Sequence, residues 1–127
     1  MGQRIILVDD EPPLRMLLGR MLTRSGYEVN SFDSAEETLA AGRGADIAPD
    51  LLITDQQLPG KTGSELAAEL GSVWPAMKVI ICSGLPVELS DLPASMRKRV
   101  GSLPKPFSPE QLLDAVATAL REAGTPE

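Results

Sequence analysis

The chain of 127 residues contains no histidine and one cysteine, Cys82. Without an imidazole it lacks the commonest general base, and neither a histidine-based metal site nor a phosphohistidine can form on it. A lone thiol excludes an intramolecular disulfide, so the expected setting is reducing and cytoplasmic. Aromatic residues are scarce: Tyr27, Phe32, Trp74 and Phe107 are all there are, and aliphatic side chains must fill the core. Basic charge is not in excess either. A net charge of −6 argues against direct contact with nucleic acid, which needs a basic surface. No apolar run approaches the roughly 20 residues that cross a bilayer, and no basic segment with a following apolar stretch and cleavage site opens the sequence. No membrane contact is expected, and neither an internal repeat nor a low-complexity tract is visible.

Hydrophobic residues make up 43% of the chain, enough for the core of one compact domain. Residues 1–123 are read as that domain and 124–127 as a frayed tail or cut linker. Ile5 to Val8 is short, wholly apolar and β-branched, the pattern of a strand buried on both faces. Glu28 to Phe32, Leu51 to Thr54 and Val79 to Cys82 look similar, and Val100 to Leu103 is a weaker case. Helical patterns lie between them. Leu14, Leu17, Leu18, Met21 and Leu22 form one stripe, with Pro12 and Pro13 in the first turn and Gly26 at the stop. Ser34 with Glu37, and Thr62 with Glu65, are capping boxes. Ser108 caps a last helix that faces Leu112, Leu113, Val116 and Leu120 inward. Val87 to Lys98 contains Pro93 and has weak periodicity, so a fourth helix there is expected to be short or irregular. The order β-α-β-α-β-α-β-α-β-α implies a parallel sheet covered by helices on both sides.

In such sheets ligands bind beyond the carboxyl ends of the strands. Those ends carry Asp9, Asp10 and Glu11, then Asp55, then Ser83 and Gly84, then Lys105. Each piece has an ordinary reading: the first acids could cap a helix, Asp55 and Ser83 could serve turns, and Lys105 could be a surface lysine. Together they bring carboxylates, a hydroxyl and an amine to one rim. Clustered carboxylates repel one another, and a hard divalent cation with oxygen ligands, Mg²⁺, relieves this. One carboxylate could then attack phosphorus, with the cation, Lys105 and Ser83 balancing the phosphoryl oxygens.

Four segments carry a resemblance: Ile5 to Glu11 (IILVDDE), Leu51 to Gly63 (LLITDQQLPGKTG), Val79 to Gly84 (VIICSG) and Leu103 to Phe107 (LPKPF). The chain resembles the receiver domains of two-component response regulators and hybrid sensor kinases. The stretch from Asp55 through Leu58, Pro59 and Gly60 to Gly63 matches the family's D-x-x-[ML]-P-G-x-x-G pattern. The resemblance implies a flavodoxin-like (βα)5 fold, a doubly wound sheet of strand order 2-1-3-4-5. It implies that Asp55 is the phosphoacceptor and that Asp10, Asp55 and the Gln57 backbone carbonyl are direct Mg²⁺ ligands, with Asp9 acting mostly through water. Ser83 would be the switch hydroxyl, Lys105 the phosphate-binding lysine, and the Lys105–Pro106 peptide bond cis.

The implied donor is a phosphohistidine on a sensor histidine kinase or a histidine phosphotransfer domain. Candidate contacts are Leu14 and Leu17 with Phe107 and Pro109, although Leu17 is read first as core. Arg97, Lys98 and Arg99 are read as a solvated helix end. Weak dimerisation through the fourth helix, fifth strand and fifth helix is a further expectation. The chain departs from the family at Ser102, where an aromatic ring is usual, and Gln57 and Leu85 occupy variable positions that tune phosphoryl lifetime. Two alternatives stand beside the signalling phosphoacceptor, which is not itself an enzyme. One is a degenerate receiver serving only as an interaction module. The other is an aspartate-nucleophile phosphohydrolase of the haloacid-dehalogenase type, which Asp9-Asp10-Glu11 fits poorly because that class places its nucleophile on the first strand in D-x-D spacing.

Overall fold

The computed structural model describes residues 3–43, 48–88, 90 and 92–124. In chain order the elements are β1 (Arg4–Val8), α1 (Pro12–Arg24), β2 (Glu28–Phe32), α2 (Ala35–Arg43), β3 (Leu51–Asp55), α3 (Gly63–Val73), β4 (Lys78–Ser83), a 3-10 helix η1 (Ala94–Arg99), β5 (Val100–Pro104) and α4 (Pro109–Gly124). Met1 and Gly2 of the opening segment and residues 125–127 of the expected tail lie outside the described residues.

All strand pairs are parallel, in the order β2-β1-β3-β4-β5. The order is the one expected, and the strand sequences explain it. Parallel strands need cover on both faces and so carry continuous apolar runs. Every residue of central β3 is buried. Alternation along the strands divides the interior in two. Ile5, Leu7, Leu51, Ile53, Ile80 and Cys82 face the side of α1 and α4, where Leu18, Leu22, Leu112, Val116 and Leu120 meet them. Val8, Leu52, Val79 and Ile81 face the other side, against Leu39 of α2, Leu66 and Leu70 of α3, and Met96 of η1. The edge strands β2 and β5 expose Glu28, Asn30, Gly101 and Ser102.

Helix α1 corrects one expectation. Leu17 is 52% exposed, as is much of its neighbour Met16, while Leu18 and Leu22 are buried and Leu14 and Met21 partly so. Each helical residue turns by about 100°. Leu14, Leu22 and Met21 therefore fall within about 60° of Leu18. Leu17 falls about 100° away, at the edge of the stripe rather than in it.

The expected fourth helix is not an α-helix among the described residues. It is the six-residue η1, with Pro93 as its N-cap. Proline cannot donate the hydrogen bond that would extend a helix through it, and a 3-10 turn suits a short segment. The tight turn drives buried Met96 against Gly71 of α3, where a Cβ would collide with the Met96 thioether. Two of the three basic residues there are also tied down. Arg97 Nε donates to Leu92 O at 3.2 Å and Arg99 Nη1 to Met77 O at 2.8 Å, so the cluster is more than a solvated helix end.

The helix caps follow the sequence closely. Thr62 and Glu65 form a complete capping box on α3. Ser108 and Gln111 form a reciprocal pair at the start of α4, with bonds of 2.7 and 3.1 Å. At the end of α1 the chain turns through Gly26 with φ of +100°, a conformation that glycine adopts without strain.

The contrast within α1 is testable by urea denaturation. Leu18→Ala is expected to cost about 2–5 kcal/mol, whereas Leu17→Ala should change stability by no more than about 0.5 kcal/mol. Equal losses would contradict this placement of the stripe.

Candidate functional site

The rim at the carboxyl ends of β1, β3, β4 and β5 gathers the residues singled out above. Asp9 directly follows β1, and its N–H donates to Phe32 O at 3.2 Å, continuing the β1–β2 ladder. Its Oδ1 accepts from the Glu11 N–H at 2.8 Å, and Arg15 Nη1 donates to its backbone carbonyl at 2.7 Å. These contacts turn the chain so that Asp9 is buried and Asp10 exposed. Helix capping is not their role: the N-cap of α1 is Glu11, with no side-chain cap bond.

Asp55 closes β3 and is 8% exposed. Carboxylate oxygens of Asp9, Asp10 and Asp55 all lie within 4.8 Å of one another. Lys105 reaches across from the loop after β5, and its Nζ donates to Asp55 Oδ2 at 2.9 Å. The other Asp55 oxygen accepts a longer bond of 3.4 Å from the Gln57 N–H. Gln57 itself is exposed and bridges to Thr62 across the loop.

The electrostatics reflect this crowding. Burial pushes the Asp9 carboxyl above its usual range, and the Asp55 charge adds to it, against the opposing Glu11 N–H bond and Lys105 ammonium. Burial by itself would lower the Lys105 pKa. The hydrogen bond and charge of Asp55, with the charge of Asp9, outweigh it, and the net shift is upward. Lys105 thus stays cationic well above neutral pH. Burial also pushes the Cys82 thiol up to about 12, so this sulfur beneath the site is an inert core group.

The donor set suits a hard divalent cation. All three acids offer oxygen, and one ammonium against three carboxylates leaves negative charge uncompensated in a partly buried site.

Ser83 closes β4, is buried, and accepts the Leu85 N–H on its Oγ at 3.1 Å. Its carbonyl accepts the Lys105 N–H at 2.9 Å. The Lys105–Pro106 bond is cis, as the resemblance implied. Ser102 pairs with Ile81 in the ladder and is exposed. Its small side chain lines a groove of about 350 Å³ that also takes in Ser83, Leu85, Val87 and Leu103.

Several supports of Asp55 were not singled out from the sequence. Thr54 Oγ1 donates to Asp55 O at 2.9 Å. A Cβ on Gly63 would come within 2.5 Å of that same carbonyl oxygen, so only glycine lets α3 start this close. Gln56 Oε1 accepts from both the N–H and the hydroxyl of Ser64. Gly63 was visible as a motif letter, whereas the Gln56–Ser64 pairing spans a loop and has no local signature.

Fold and rim together define a doubly wound α/β module of flavodoxin-like, CheY-like architecture with an acidic cluster at its switch point. The family model for the response regulator receiver domain matches residues 5–117. The chemotaxis protein CheY of Thermotoga maritima is 28% identical over 116 residues, covering 91% of this chain and 96% of its own. The solved structure of response regulator TrrA from the same organism, in complex with Mg²⁺–BeF, superposes with a TM-score of 0.77 at 31% identity, covering 93% of this chain and 99% of that one. The NtrC transcriptional regulator of Rhizobium meliloti is 29% identical over 95% of this chain, which spans only 25% of that regulator's length. The chain belongs to the response regulator receiver domain family and is a receiver domain of two-component systems. Members of that family are phosphoacceptor signalling modules that bind Mg²⁺ and meet histidine kinases or phosphotransfer partners. Among the described residues no helix is long and apolar enough to cross a membrane.

The raised Asp9 pKa has a consequence for stability. As pH rises through about 4, the unfolded chain loses the Asp9 proton before the fold does. The metal-free fold therefore loses stability from about that pH up to its own raised pKa, and the loss persists above it. Asp9→Asn should lack this loss, so the stability difference between variant and wild type should grow with pH across that window. Urea titrations in chelator at several pH values measure it, and a pH-independent difference would contradict the shift.

Proposed function

We propose that this receiver domain takes a phosphoryl group onto Asp55 in a site that holds Mg²⁺. The observation that carries the reading is the convergence of the Asp9, Asp10 and Asp55 carboxylates within 4.8 Å, with the Lys105 ammonium on Asp55. Asp10, Asp55 and the Gln57 carbonyl are the assigned direct ligands, and Asp9 acts mostly through water. When bound, Mg²⁺ would offset the carboxylate charge and attract the oxygens of an incoming phosphoryl group.

The protein's own residues supply the rest. An Asp55 oxygen attacks phosphorus, and the bond from phosphorus to the donor imidazole nitrogen breaks, its electron pair leaving with the nitrogen. Lys105, kept charged by its carboxylate neighbours, shifts its hydrogen bonds from Asp55 to the phosphoryl oxygens. Ser83 can donate its hydroxyl proton to the same oxygens while its Oγ accepts the Leu85 N–H. That bond ties the Ser83 hydroxyl to the loop that follows β4.

The donor we assign is a phosphohistidine of a sensor histidine kinase or histidine phosphotransfer domain, since this chain has no histidine. Exposed Leu17 and half-buried Leu14 at the start of α1, with Phe107 and Pro109 across the rim, form the assigned docking face. The domain acts stoichiometrically rather than as a turnover enzyme, in the cytoplasm, and without touching nucleic acid or membrane. The face made by η1, β5 and α4 is the assigned site of weak self-association. An aspartate-nucleophile phosphohydrolase is disfavoured because the best-supported nucleophile lies on the third strand.

Incubation with acetyl phosphate and Mg²⁺ is expected to add the mass of one phosphoryl group to the intact chain and none to Asp55→Asn. A gain that persists in the variant, or no gain in the wild type, would overturn the assignment.

A further inference from the structure

Gln56 follows Asp55, carries no charge and is not among the residues assigned above, yet its every polar group but the side-chain amide nitrogen has a described partner. Its N–H donates to Cys82 O at 2.9 Å and its carbonyl accepts the Gly63 N–H at 2.9 Å. Its side chain folds back toward α3, where Oε1 accepts the Ser64 N–H at 2.8 Å and the Ser64 hydroxyl at 3.1 Å. Ser64 is 1% exposed and Gln56 half-buried, so these bonds are partly shielded from competing water.

The first N–H groups of an α-helix have no partner within the helix. In α3 the Gly63 and Ser64 N–H groups are both taken by Gln56, and that of Glu65 by the Thr62 hydroxyl. The loop between β3 and α3 is therefore clamped at both ends: at Thr62 by the capping box, and at Gln56 by a cap reaching in from the strand side. Gln57 follows Gln56 inside this clamped loop and bridges to Thr62. Its N–H points at Asp55 Oδ1, and its carbonyl is the assigned ligand.

We propose that Gln56 is a positioning residue for the phosphoacceptor site, holding the Gln57 carbonyl in register with Asp55 by anchoring the loop to Ser64. The proposal rests on the reading of Asp55 and Gln57 given above. It differs from a simple helix cap in what it governs: a cap supports the fold alone, whereas a positioning residue also sets cation affinity. Partners that orient a metal ligand typically contribute about 10–100-fold in affinity.

The test is Mg²⁺ titration calorimetry on the full chain, alongside phosphorylation by acetyl phosphate at low and saturating Mg²⁺. Gln56→Leu should weaken Mg²⁺ binding about 10-fold. Its phosphorylation should be slow at low Mg²⁺ and return close to the wild-type rate at saturation. Ser64→Ala keeps the backbone bond and loses only the hydroxyl, so it should weaken binding in the same direction by less. Wild-type Mg²⁺ affinity in either folded variant, whatever its loss of stability, would reduce Gln56 to a helix cap and overturn the proposal. Should Gln56→Leu fail to fold, Ser64→Ala decides alone by the same criterion. Failure of the wild type itself to bind Mg²⁺ or accept phosphate would instead strike the underlying reading of the site.

Discussion

Asp55 ends a strand whose residues are all buried, and the Lys105 ammonium meets its carboxylate at 2.9 Å. Much of the molecule can be understood as what that contact requires. A carboxylate at the edge of two apolar cores is tolerated only with a partner, and the partner comes from two strands away. β4 must therefore lie between β3 and β5, and its last residue, Ser83, holds the Lys105 backbone through its carbonyl. The sheet order, the length of β4 and the loop after β5 all serve the one ion pair. Asp9 then brings a second buried carboxylate from the other side of β3, which one lysine cannot fully offset.

The two cores have different tasks. The one under α1 and α4 is built almost wholly from aliphatic side chains and supports the strands from which Asp9 and Asp55 emerge. The one under α2, α3 and η1 is adapted to close approach. Gly71 lets Met96 seat η1 against α3, and Gly63 lets α3 begin against the Asp55 carbonyl. The supports around Asp55 are thus mostly backbone groups and uncharged side chains: Thr54, Gln56, Gly63 and Ser64. The charges beside Asp55 are those of the rim residues Asp9, Asp10 and Lys105.

The strands were legible because parallel strands buried on both faces leave unbroken apolar runs, as in Ile5 to Val8 and Val79 to Cys82. The acids and Lys105 were legible because strand ends in such a sheet converge whatever the detail of the loops. Caps at Thr62 and Ser108 were legible because their partners lie three residues away. Other features depend on contacts distant in sequence. Leu17 looked like core because leucine marks a stripe but not its width, and packing against α4 and β2 sets where the stripe ends. The 3-10 form of η1 follows from Pro93 and from the space beside Gly71, the second of which is visible only in the folded chain. The Leu85 N–H on Ser83 and the Gln56 cap on Ser64 involve commonplace residues whose meaning comes from their neighbours.

Gly63 illustrates how a sequence letter can report geometry without touching chemistry. The peptide of Asp55 occupies the space that a first side-chain carbon would need, so any chain folding its loop this way must leave the position bare. A search keyed on that glycine is a search for the loop's shape. It would retrieve chains that keep the cradle after losing an acid or the lysine, and so would record ancestry rather than competence for transfer. The converse also holds: a chain with every reactive group but a bulky residue at this position would carry the right letters in a scaffold that cannot bring them together.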